Sequence, residues 1–196
     1  MSVMAAGFAE WGPVVTAMHI GQRTLPSDSR ILTNSFMAPP SPEQITAYHE
    51  AGHAVVALAQ GRAVQRVSIV PNETRLGACE IKKGRVKPSD DDLETAILIF
   101  LGGLAAEARF TGRYGWGGAA QDLTEIRSMC LSRAGNEKRA DKLARRMLDK
   151  VEHLLDQPGH WEAVKRIAAE LQKSTTISGR AARHLFDDAI RQLDRN

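Results

Sequence analysis

The stretch "ITAYHEAGHAVVALAQG", Ile45 to Gly61, places two histidines four residues apart with a glutamate directly after the first. Apolar residues recur through it at helical spacing, and Gly61 is a natural terminator, so it reads as a helix from Ile45 to Gln60. On a helix, positions four apart lie one turn above each other, so His49 and His53 can present ring nitrogens to a common point, with Glu50 beside it. In this HExxH arrangement two imidazoles can hold Zn²⁺, and the glutamate can take a proton from an activated water and pass it to a leaving amine. The competing reading is a pair of solvated helix histidines. Ala51, Ala54, Val55 and Val56 argue against it, because they make the helix largely buried and a buried imidazole needs a partner.

A catalytic zinc requires a third protein ligand and one open position. His19, His153, His160 and His184 stand in no pattern that singles one out, and carboxylates are the better candidates. Glu107 lies in "LGGLAAEARF"; Asp122, in "GGAAQDLTE", follows a glycine-rich loop near the start of another helix. Cys79 and Cys130, the only cysteines, form no CxxC pair, so neither a disulfide framework nor a cysteine zinc knuckle is available, and a reducing, cytoplasmic setting is the default.

Around the motif helix the chain reads as mainly α with a small β-sheet. "AVQRVSIVP" and "LGACEIK" predict two or three short strands on either side of the turn "NETR". Ser89 with Asp90, Asp91 and Asp92 begins a helix running to about Arg109, its acidic first turn matching the helix dipole. After "FTGRYGWGGAAQ" come amphipathic helices broken near Gly135, Pro158 and Gly179. Their Leu, Met, Val and Ile fall at core spacing, as in a helical bundle supporting the site; His160 and Trp161 read as packing at a helix start. Residues 1–43 carry Pro, Ser and Asn breaks and read as a loosely ordered leader; 44–196 read as one domain.

Charge and hydropathy exclude several classes. The net charge of +3 arises from 26 Lys and Arg interspersed with 23 Asp and Glu, a mixture that gives no basic face for nucleic acid. "AILIFLGGLAA" is uncharged but shorter than the roughly 18 residues of a membrane span, and no signal peptide or anchor is read at the amino terminus. No GxxxxGK[ST] occurs, and the glycines of "GRYGWGG" lack the Lys-Ser/Thr of a phosphate cradle.

"AYHEAGHAVVA", "VSIVP…LGACEI", "LGGLAAEARFTG" and "GAAQDL" stand in the same order and at similar spacing as in the peptidase domain of FtsH-type zinc metalloproteases, which the chain resembles from about residue 45 onward. The closing "LQKSTTISGRAARHLF" is similar to that family's last helical segment. The resemblance implies zinc held by His49, His53 and Asp122, with Glu50 as catalytic base. It implies an HExxH zincin-like, mostly helical fold whose edge strand, Leu76, Gly77, Ala78, Cys79 and Glu80, pairs with the substrate backbone. Glu107 matches a glutamate of the family's GGRAAEE pattern and is expected to support the ligands from behind. The chain carries Gln121 where the family usually has asparagine.

The expectation is therefore a zinc-dependent peptidase acting on peptides or unfolded proteins without an ATPase module of its own, alone, as a homo-oligomer or beside a separate ATPase. The alternative is a zinc-containing module that only binds peptide or protein, for which an intact Glu50 would be unnecessary. Cys79, on the expected substrate strand, could bind metal or react, but reads better as a small buried hydrophobe.

Overall fold

The structure, a computed structural model, describes residues 39–72, 76–82, 90–114 and 120–193. Residues 40–196 form one unit of the chain. The expected leader lies, up to residue 38, outside the described residues, as do residues 115–119 of the glycine-rich loop and the Ser89 helix start.

Helix α1 (Pro42–Ala59) opens on a reciprocal cap: Ser41 Oγ accepts from the Gln44 backbone N–H, and the Gln44 side chain accepts from the Ser41 N–H, with Pro42 in the first turn. Its arrest at Gln60 is followed by Gly61 at φ 70°, a left-handed turn that glycine adopts without strain. Every residue from His49 to Leu58 is buried. An apolar helix with so little solvent face must be wrapped on all sides, and α1 is: α2 (Asp90–Thr111) lies along it, with α5 (His160–Ser174) and strand β1 (Val64–Ser68) on other sides.

The approach of α1 and α2 is set by glycine. A Cβ on Gly102 would stand 2.8 Å from the Gly52 carbonyl oxygen and 2.8 Å from a Val56 methyl, so each helix uses a missing side chain to let the other's backbone in. Ile97 and Leu101 of α2 are fully buried beside this crossing, each contributing about 1.5–3 kcal/mol. At the far end, Phe110 stacks on Tyr48 with centroids 3.7 Å apart, and Arg109 lies 4.4 Å over the Trp161 ring while bonding Asp156 Oδ1 at 2.7 Å and the Leu155 carbonyl at 3.2 Å. These contacts tie α2 to α4 (Glu137–Asp156) and α5 at the residue preceding His49.

Helix α3 (Ala120–Ala134) and helix α4 pack on α2, and helix α6 (Gly179–Leu193) packs on α5. The expected breaks near Gly135, Pro158 and Gly179 are all present: Gly135 (φ 74°) and Gly159 (φ 82°), the residue after Pro158, turn the chain, and Gly179 opens the last helix. His160 stacks on Phe186 at 5.5 Å and donates from Nδ1 to the Leu154 carbonyl at 2.6 Å, packing the start of α5.

Strand β2 (Ala78–Ile81) pairs antiparallel with β1 through Val64 with Ile81 and Val67 with Cys79. The third strand is β3 (Thr176–Ser178), antiparallel to the other side of β1, giving the order β2-β1-β3. The sequence reads as two or three strands around "NETR", with "STTIS" inside a helical segment. Three residues after Thr175, at φ 54°, are too short a run for alternation to reveal. The substrate strand also starts later than expected: Leu76 lies in a bend and Gly77 precedes the ladder, because the glycine enters against α1 instead of pairing with β1. Among the described residues β2 is an edge of the sheet.

Candidate metal centre and active site

The register of α1 puts His49 and His53 on the face turned to α2 and α3, with ring centroids 4.7 Å apart at 80°. Each ring is held from behind. His49 donates from Nδ1 to Glu107 Oε2 at 3.0 Å, and His53 donates from Nδ1 to the carbonyl oxygen of Ile99 at 2.7 Å. Both acceptors come from α2, seated two turns apart by the helix that the glycine crossing admits. A ring whose Nδ1 carries the proton leaves Nε2 as a lone pair, so both imidazoles offer Nε2 to the same space. The edge of His53 also rests near Phe100, 6.4 Å between centroids.

Asp122 enters that space from the first turn of α3, its Oδ2 2.9 Å from His49 Nε2 and 3.1 Å from His53 Nε2. The three donor atoms all lie within 4.8 Å of one another. Two lone pairs and a carboxylate oxygen repel unless a positive charge stands among them. Edges of about 3.3 Å follow from a tetrahedral centre with bonds of about 2.0–2.1 Å, so the observed separations need only slight widening to take such an ion. The donors present fit a divalent cation, and among the described residues this is the sole such cluster of three.

Electrostatics report the same demand. Burial alone would disfavour a charged His49, but hydrogen bonding to Asp122 and to Glu107, with Glu50 nearby, outweighs it and pushes the pKa up to about 10. Burial likewise works against the Asp122 carboxylate, yet the two imidazoles hold its pKa well below the ordinary range. Without an ion, a proton takes its place between these groups.

Glu50, 5% exposed, lies beside the imidazoles on α1 and faces the entry to β2: a Cβ on Gly77 would stand 2.7 Å from its Oε1. The structure thus gathers His49, Glu50, His53, Glu107, Asp122 and Gly77 at one place. Ala78, Cys79 and Glu80 continue along β2, and Leu76 is more than half exposed at its entrance. Glu80 is turned to a cross-strand ion pair with Arg66 at 2.5 Å. The half-buried Cys79 thiol is pushed up by desolvation and by the charges of Glu50 and Glu80, which keeps it protonated.

Sequence reading missed the Ile99 carbonyl and Gly103, whose Cβ would reach into the imidazoles. A backbone acceptor leaves no mark in sequence. The Gly102-Gly103 pair inside an apolar helix does, being the pattern of a close approach.

The family model for peptidase family M41 matches residues 37–134, a span that contains every one of these groups. Among curated proteins, the ATP-dependent zinc metalloprotease FtsH of Protochlamydia amoebophila (strain UWE25) is 35% identical over 105 residues, covering 52% of this chain and 11% of that protein. The ATP-dependent zinc metalloprotease FtsH of Chlamydia trachomatis serovar L2 is 35% identical over 95 residues, 44% of this chain and 10% of that protein. FtsH 1 of Sorangium cellulosum (strain So ce56), another ATP-dependent zinc metalloprotease, is 40% identical over 84 residues, 39% and 13%. The aligned part is thus about a tenth of each relative's length, so the match speaks for this segment and not for the whole of those proteins. With its HExxH helix, its supporting glutamate and its aspartate gathered within the matched span, the chain belongs to peptidase family M41.

Proposed function

We propose that the chain is a zinc metallopeptidase that hydrolyses peptide bonds in peptides and unfolded protein segments. The observation that carries the reading is the convergence of two Nδ1-anchored imidazoles and one carboxylate oxygen at 2.9 and 3.1 Å. Two imidazole nitrogens and a carboxylate leave a tetrahedral ion one open position, the donor set of catalytic zinc sites. Zn²⁺ held there would polarise a carbonyl oxygen and bring the pKa of water from near 16 to about 7.

The chain's own residues carry the rest. Glu107 and the Ile99 carbonyl hold the rings by their Nδ1–H groups and keep both Nε2 atoms directed inward. Glu50 accepts a proton from the attacking water and returns it to the leaving amine, a role that suits a carboxylate buried beside the ligands. The edge of β2, unpaired among the described residues, offers backbone groups to an extended peptide, and its entry at Gly77, against Glu50, would bring the scissile bond to the base.

The relatives are named as ATP-dependent, whereas these 196 residues contain no GxxxxGK[ST]. We assign to them the hydrolytic step. Metal analysis of purified protein, with cleavage of a peptide library before and after chelation, tests the reading. One zinc per chain and chelator-sensitive cleavage are expected; zinc without cleavage would leave a binding module, and neither would remove the metal reading.

A further inference from the structure

Gly103 lies in the middle of α2, and a Cβ built on it would stand 2.5 Å from His53 Nε2, 2.6 Å from His53 Cε1 and 2.7 Å from His49 Nε2. All three nearest obstacles are imidazole atoms. The tips of side chains ordinarily yield, but these two are pinned at their other end, His53 by the Ile99 carbonyl and His49 by Glu107. Ile99 and Gly103 are one turn apart on the same face of α2, so the turn that fixes the proton on His53 Nδ1 also leaves the hollow that takes its Nε2 end. Gly102 has a different task, since the atoms its Cβ would meet belong to Gly52 and Val56. The adjacent glycines thus divide the work, one admitting a helix and the other admitting the ligands.

We propose that Gly103 is a positioning residue of the metal centre: its missing side chain is what lets His49 and His53 converge on Asp122, an inference that rests on the metal reading above. A methyl at 103 would force His53 Nε2 back from 2.5 to at least 3.0 Å, more than twice the ~0.2 Å tolerance of a metal–ligand bond. Local preference runs the other way, because alanine favours a helix interior over glycine. The sign of the Gly103→Ala effect on stability therefore reports whether imidazoles are the obstacle.

The test uses metal-free and Co²⁺-titrated protein: wild type, Gly103→Ala, His49→Ala/His53→Ala and the triple variant. Gly103→Ala is expected to lower Tm in the wild-type background and to raise it where both imidazoles are gone. It is also expected to weaken Co²⁺ binding on the order of 100-fold or more, with an altered d–d spectrum and an unchanged far-ultraviolet circular dichroism spectrum. If the single variant fails to fold, the triple variant should still fold, with a Tm above that of its His49→Ala/His53→Ala parent. A Tm shift of the same sign in both backgrounds, or wild-type Co²⁺ affinity and spectrum in Gly103→Ala, overturns the proposal. A wild type that takes no Co²⁺ refutes the metal reading instead, and the Tm inversion then decides alone whether the glycine positions the rings.

Discussion

Gly77 and Glu50 approach so closely that no side chain fits between them: a Cβ on residue 77 would stand 2.7 Å from Glu50 Oε1 and 2.8 Å from its Cγ. The start of the edge strand and the proposed base are thus packed against each other, and the same built Cβ would stand 2.9 Å from the Ser68 carbonyl oxygen. A methyl at 77 cannot be accommodated without turning the carboxylate, while no atom of His49, His53 or Asp122 is among the three nearest to it. Gly77→Ala should lower kcat on a short peptide by about 10-fold or more, a part of the roughly 10²–10⁴-fold that a positioned general base contributes, with zinc content unchanged. Zinc loss in that variant would mean that Gly77 supports the ligands and not the base.

Glu50→Gln preserves shape but removes the proton acceptor. Zinc binding should persist, and peptide cleavage should fall by about 10²–10⁴-fold, the usual contribution of a positioned general base. Cleavage at the wild-type rate, measured with full zinc occupancy, would sink the proposed chemistry.

Asp122 and Glu107 are both carboxylates beside His49, yet they touch different nitrogens. Oδ2 of Asp122 faces the Nε2 atoms of both rings, whereas Oε2 of Glu107 receives only the Nδ1–H of His49. Zinc titration should therefore separate them. Glu107→Gln is expected to lose about 10–100-fold in affinity, as for removal of an outer support, and Asp122→Ala considerably more. The reverse order would make Glu107 the ligand.

The motif helix was legible because HExxH places its chemistry by period alone: His49, Glu50 and His53 need only an α-helix to come together. The helical tail and its breaks were legible for a related reason, since glycine, proline and an apolar stripe are local signals: Gly135 takes a positive φ, and Pro158 stands beside Gly159, which does the same. Asp122 and Glu107 could be put forward as candidates, but sequence separations of 73 and 58 residues from His49 hide which one faces the ion. That choice depends on how α2 lies against α1 and where α3 begins, and the approach of α1 and α2 is set by Gly52 and Gly102, residues with no chemistry of their own. Strand β3 escaped notice because three residues gain their conformation from β1 and not from a pattern of their own.

Metal and proton compete for the same space. In metal-free protein the His49 pKa is raised from the ordinary 6.5 to about 10, so its protonated form contributes stability that is fully present below about pH 6.5 and is lost as pH rises through about 10. Zinc must displace that proton, so apparent affinity should climb across the same window while the Tm of the metal-free protein declines. The decline should be shallower in His49→Gln, which has no such proton to lose. Parallel Tm profiles for wild type and His49→Gln between pH 6.5 and 10 would show that His49 is not protonated between its two carboxylates.

An extended substrate added to the edge of β2 must free several consecutive residues from its own fold, and a stable domain rarely does so. Unfolding free energies of about 5–15 kcal/mol leave the open form scarce, and a cleavage that waits for opening inherits that scarcity. Nothing in these 196 residues has the phosphate-binding sequence of a motor that would pull a domain apart. Cleavage of a folded substrate should therefore follow the substrate's own stability: a point mutant destabilised by about 3 kcal/mol should be cut on the order of 100-fold faster than its parent, from the ten-fold change per 1.4 kcal/mol. ATP should change neither rate, and a short disordered peptide should be cut faster than both. Equal rapid cleavage of parent and mutant would refute passive capture. Stimulation by ATP that appears only on adding a separate ATPase would instead identify these residues as the hydrolytic half of a two-part machine.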